Sequence, residues 1–204
     1  MRSFARHASF AALVAAATVS LSSAAFAHIG LNAGDHSHMS FTEGLAHPFT
    51  GLDHMLAMVA VGLWASQLGG RALWLLPLTF PVVMAAGAGL GFGGVALPWV
   101  EIGITASVLV LGAAVALTLR PSLAVSLPLI ALFAALHGYS HGVELPANVS
   151  VLTYAAGFIA ATLALHLIGI GLGLLANRIP VRFVARTAGG AIAVIGVALL
   201  VMPH

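Results

Sequence analysis

The chain has no cysteine and no lysine, and its 204 residues include only five acids and seven arginines. Without cysteine, disulfide bonds and thiolate metal sites are excluded, so any metal chemistry must use nitrogen and oxygen donors. The scarcity of charge excludes an ordinary soluble surface. Only 6% of residues are charged and 61% are hydrophobic, whereas a soluble domain carries about 25% charged residues. Such a composition belongs to an integral membrane protein. There is no P-loop to suggest ATP hydrolysis and no HExxH signature of a zinc protease. Arg2 and Arg6 sit in an N-terminal leader, and the other five arginines balance the five acids, a distribution that gives no support to nucleic-acid binding.

The leader has the form of a cleavable signal peptide. Its two arginines precede an apolar run from Phe10 to Leu21, and "AAFA" then places Ala25 and Ala27 at small-residue cleavage positions. Cleavage after residue 27 would start the mature chain at His28, outside the cytoplasm; an uncleaved signal anchor is the alternative. Beyond a His-containing segment over 28–46, the expected fold is an all-α, polytopic membrane helix bundle over 47–204. Six apolar runs are long enough to be spans: 51–68, 72–93, 99–119, 123–142, 151–176 and 183–202. Gly69-Gly70, Pro98, Arg120-Pro121, Pro146 and the stretch 178–180 separate them.

The arginines give an independent reading of orientation. Arg71, Arg120, Arg178, Arg182 and Arg186 all fall in connections on one side of six alternating spans, and the positive-inside rule makes that side cytoplasmic. The expected location is the bacterial inner membrane with both mature termini periplasmic. Glycines recur within the second run (Gly87, Gly89, Gly91, Gly93) and the fifth (Gly169, Gly171, Gly173), where small residues let helix backbones approach in lipid.

Ionisable residues at membrane depth are costly unless paired, solvated or functional, which makes the few present informative. "HPFTGLDH" sets His47 before Pro48, with Asp53 and His54 after it. A helix running from Pro48 would place His47 and His54, seven residues apart, on one face. "ALHGYSHGVELP" sets His137 and His141 four apart with Glu144 three further on, again one face of a continuous helix, and Gly138 and Gly142 leave room for a neighbour. The first span enters from the outside and the fourth exits to it, so both clusters reach the same depth. His47, Asp53, His54, His137, His141 and Glu144 therefore form the candidate metal-ligating set. Imidazoles with one or two carboxylates suit nickel, cobalt, zinc or copper(II), and the carboxylates can act either as ligands or as partners that fix an imidazole tautomer. Secondary candidates are His28, Asp35, His36 and His38, which form a capture site or a solvated tail. Glu101 is a third wall of the site or an interfacial charge, and mid-membrane His166 is a relay ligand or a helix-to-helix hydrogen bond.

The blocks "HPFTGLDHMLAMVAVGLW" and "HGYSHGVELP", behind a signal peptide and within six apolar runs, resemble the HupE/UreJ family of hydrogenase and urease accessory membrane proteins. The resemblance covers the mature chain and implies nickel or cobalt uptake with no catalytic cofactor. The implied partners are the lipid bilayer, the transported ion and nickel-enzyme maturation proteins. It maps the family's motif histidines and acids onto the same six residues. Ser140 stands where the family often has alanine. Two rival readings stay open from the residues alone: a membrane-embedded zinc hydrolase, with Asp53 or Glu144 as base, and a metal-binding scaffold that transports nothing.

Overall fold

A computed structural model describes residues 36–145, 149–178 and 183–201. The leader, His28, Asp35, Arg182 and His204 lie outside the described residues, as do the side chains of His36, His38 and Arg178. Among the described residues there is no strand. Helix α1 (His36–Ala46) runs into a 3-10 turn at His47–Phe49, followed by α2 (Leu52–Leu68), α3 (Ala72–Phe92), α4 (Val100–Ala116), α5 (Leu123–Val143), α6 (Val151–Arg178) and α7 (Phe183–Val201). Each of the six expected apolar runs forms one helix, because in lipid every backbone polar group must be satisfied within its own segment.

The number of spans is a narrower matter. Helices α3, α5, α6 and α7 are long and apolar enough to cross a membrane, and α1 with α2 passes the same test only as a pair bent by 79°. Helix α4, at 17 residues, is short for a span. Among the described residues there are thus four such helices, or five if the bent pair is one span; all six expected runs are helical, but length and composition alone do not establish six spans.

The bend also corrects the expected straight entry of the first span. Pro48 has no N–H to donate into the preceding turn, and Gly51 adopts an extended conformation (φ −100°, ψ 118°) as the N-cap of α2. The segment before it is helical from residue 36 because it has a partner. Helix α1 packs along α6, where a Cβ at Gly44 would meet the Tyr154 carbonyl and one at Gly157 the Phe41 carbonyl.

The most extensive of the remaining contacts pair distant segments: α3 with α5, α4 with α7 and α2 with α6. Glycine alternation explains the first of these. Gly87 and Gly91 of α3 face the Ala135 and Tyr139 carbonyls, while Gly138 and Gly142 of α5 face those of Met84 and Ala88. Not every expected glycine takes part, since a Cβ at Gly89 or Gly171 would meet nothing within 4 Å.

At one end of the bundle, carbonyls at and just beyond the C-terminal end of α4 receive side-chain donors. Gln67 Nε2 donates to the Val115 carbonyl (3.0 Å), Arg186 Nε to that of Ala116 (3.0 Å), and Trp64 Nε1 to that of Leu119 (2.9 Å). These bonds add side-chain donors where a helix end runs short of backbone N–H groups, and the arginine complements the negative pole of the dipole. Alternating helix direction puts Arg71 and Arg120 at this end and the histidine motifs at the other.

Candidate metal centre

The site lies where α2 begins, α5 ends and α6 begins. The two motifs, far apart in sequence, meet directly: His47 Nε2 lies 3.1 Å from His141 Nδ1, one nitrogen donating to the other. His54 packs against both histidines of α5, with ring centroids 4.5 Å from His141 and 5.0 Å from His137. The expectation of a shared depth is met. Its local premise is not, because His47 sits on the far side of the bend from His54 and reaches the site from the 3-10 turn rather than along one helix face.

Two hydrogen bonds fix how the imidazoles present themselves. His54 Nδ1 lies 2.6 Å from Asp53 Oδ1, and a carboxylate can only accept, so Nδ1 carries the proton. The same oxygen accepts the His54 backbone N–H at 2.8 Å. Gly51 makes room for this pair, since a Cβ there would come within 2.7 Å of His54 Nδ1 and 2.8 Å of Asp53 Oδ1. His137 Nδ1 lies 2.8 Å from the Phe133 carbonyl and must donate to it. In both rings the lone pair is therefore on Nε2. Those two Nε2 atoms, with His141 Nε2, are buried and have no hydrogen-bond partner. A carboxylate or carbonyl behind one ring nitrogen and a free lone pair on the other is the arrangement typical of metal-binding imidazole.

The carboxylates divide their roles. Asp53 stands behind His54, whereas Glu144, just past the end of α5 and half exposed, has Oε2 3.8 Å from His47 Nε2. One ligand atom from each of His47, His141 and Glu144 can be chosen so that all lie within 4.8 Å of one another, a spacing able to hold a cation. Ser140 Oγ donates to Glu144 Oε1 at 3.0 Å, so the serine holds the carboxylate at the site.

The profile of the family described as HupE / UreJ protein matches residues 15–199. The chain belongs to this family. Among curated proteins, Protein HupE of Rhizobium leguminosarum bv. viciae is 48% identical over 185 residues, covering 91% of this chain and 94% of that protein. No solved structure matches.

For this HupE/UreJ chain the structure brings the six primary candidates to one end of the bundle and, of the secondary ones, places Glu101 and His166 apart from them. Glu101, exposed in the first turn of α4, stands outside the histidine cluster and lines with Trp99, Tyr139 and Glu144 an open cleft of about 420 Å³. His166 is fully buried and closer to the cluster than its place in the sequence suggests: the Phe80 ring lies 5.3 Å from it and 5.6 Å from His137. Sequence reasoning missed the aromatic wall of α6. Phe158 lies 4.3 Å from His141, and Tyr154 lies 5.9 Å from His47. Their spacing of four, at the start of an apolar helix that also carries His166, was the available signal.

Proposed function

We propose that this protein is a permease that takes up a divalent transition-metal ion, nickel or cobalt, from the periplasm in support of nickel-enzyme maturation. The observation that carries this reading is the set of three buried histidine Nε2 atoms without partners, two of them with the proton fixed on the opposite nitrogen. Glu144 and His47, at the exposed edge, would receive the hydrated ion, and the buried rings would replace its water. Nitrogen and carboxylate donors without sulfur suit nickel or cobalt. With the arginine end inside, the histidine end faces the periplasm. An inside-negative potential then favours inward movement by about 2.3 kcal/mol per charge per 100 mV, roughly twice that for a divalent ion, without ATP. The family resemblance supplies nickel and a link to hydrogenase or urease.

The test is uptake of radioactive nickel, with cobalt and zinc as competitors, by cells making the protein and by proteoliposomes containing it. Saturable flux supports the permease. Binding without flux would favour a scaffold, and zinc-dependent hydrolysis without flux would favour an enzyme.

Proton and metal compete for the same imidazole lone pair, so only neutral rings bind. Acidification that protonates these rings should therefore reduce nickel uptake at constant membrane potential, measured from pH 7 down to about 4. A flat profile over that range would count against histidine ligation. Asp53→Asn tests the tautomer argument. Loss of the anionic acceptor behind His54 is expected to weaken nickel binding about 10- to 100-fold in isothermal titration. Unchanged affinity would remove Asp53 from the site.

A further inference from the structure

Beyond the histidine cluster, toward the arginine end, a second set of polar groups lies inside the bundle. His166 and Thr162 are one turn apart on α6 and both fully buried. Neither ring nitrogen of His166, nor Thr162 Oγ1, has a hydrogen bond of acceptable geometry. Across from His166, α3 contains Pro77 and Pro81. Pro81 has no N–H to give to the carbonyl four residues earlier, so the Pro77 carbonyl is released from the helix, and it faces His166. The imidazole thus faces a freed carbonyl, with a buried hydroxyl one turn away on its own helix. The cost of leaving such groups unpaired in an apolar interior is not explained by packing. Released carbonyls of interrupted helices serve as cation ligands at membrane depth elsewhere.

The two regions are joined by a single residue. Phe80, fully buried, contacts His137 on one side and His166 on the other, at 5.6 Å and 5.3 Å between ring centroids. It sits between the two prolines, whose missing N–H groups remove two helical hydrogen bonds from this part of α3 and weaken it locally. Helix α6 forms a continuous wall past it, with Phe158 beside His141 and then Thr162 and His166 at successive intervals of four.

We propose that His166, Thr162 and the Pro77 carbonyl form an inner station for the same divalent cation, and that the Phe80 ring is the gate between it and the outer cluster. The inner station rests on the uptake reading only for its role in flux; as a binding site it stands by itself. In this scheme the ion leaves His54 and His137 when the α3 segment swings Phe80 aside. It is then held by neutral donors, which bind it weakly enough to release it inward.

The test uses purified full-length protein and nickel alone. Equilibrium dialysis counts bound ions, and proteoliposome flux is measured on the same preparations. His166→Gln keeps a polar side chain beside the Pro77 carbonyl but is a poor nickel ligand, and Thr162→Val removes the hydroxyl at nearly constant volume. His166→Gln is expected to bind one nickel equivalent fewer than wild type and to lose roughly tenfold or more of the flux, with the remaining sites unchanged in affinity. Thr162→Val is expected to weaken the same equivalent. Phe80→Ala is expected to raise saturating flux several-fold, and Phe80→Trp to lower it. An unchanged stoichiometry in His166→Gln overturns the inner station, and unchanged flux in Phe80→Ala overturns the gate. If wild type shows no flux but His166→Gln still loses one equivalent, the uptake reading fails and the station stands. If wild type transports and His166→Gln matches it in flux and stoichiometry, the station alone fails.

Discussion

His141→Ala is expected to abolish saturable nickel uptake while leaving the protein folded and inserted. His141 is the residue common to every part of the site. It touches His47 at 3.1 Å, packs its ring 4.5 Å from His54, and belongs with His47 and Glu144 to the group whose ligand atoms lie within 4.8 Å of one another. Loss of an outer partner of a metal ligand costs about 10- to 100-fold, and loss of a ligand itself costs at least the upper end of that range. At limiting nickel, apparent affinity should fall more than about 100-fold, below detectable flux. The cavity left beside Phe158 would cost about 1–3 kcal/mol of stability, a loss visible as a lowered Tm in detergent but not as missing protein. His54→Ala should give the same phenotype from the other motif. Uptake retained in either variant at matched membrane levels would show that the two motifs do not form one site.

Much of this centre could be read from the sequence because it depends on parity. Once apolar runs and arginine-bearing connections set the direction of each helix, the start of the first run and the end of the fourth must lie at the same end of the bundle, which is where His47 meets His141. The i, i+4 spacing of His137 and His141 needed only a regular helix. What could not be read depends on tertiary contacts. The 79° bend after Phe49 arises from Pro48 and Gly51 together with the support α1 receives from α6, and the sequence around 36–46, polar and histidine-bearing, suggests a tail until that partner is known. The carbonyl that orients His137 is an ordinary helical one, from Phe133, and no residue type marks it. The closeness of His166 to the cluster depends on Phe80, on a helix far from α6 in the chain. Ser140, the departure from the family's usual alanine, gained a role only when its hydroxyl was found bonded to Glu144.

The same reasoning about close helices predicts that Gly138→Ala is among the most damaging single-methyl changes in the protein. Gly138 lies between the two site histidines of α5, on the face that meets α3. A Cβ there would collide with the Met84 carbonyl oxygen and come within 2.7 Å of its carbon. Backbone atoms cannot rotate away as a side chain could, so α3 and α5 would have to separate. Separation would also open the contacts of Gly87 with Ala135, Gly91 with Tyr139 and Gly142 with Ala88, and van der Waals contact of this kind is the main attraction between helices in lipid. Overpacking costs about 1–3 kcal/mol, set against about 1 kcal/mol gained by alanine over glycine in a helix. Separation, however, puts the loss of the whole interface on the unfavourable side. Because α5 carries His137 and His141, nickel binding should weaken along with stability. Gly89→Ala, on the same stretch of α3, supplies the comparison: its Cβ would meet nothing within 4 Å, leaving only the gain in helix propensity. Thermal unfolding in detergent should therefore show Gly138→Ala well below wild type and Gly89→Ala level with it or above. Equal Tm values for the two variants would mean that α3 and α5 do not pack through their glycines.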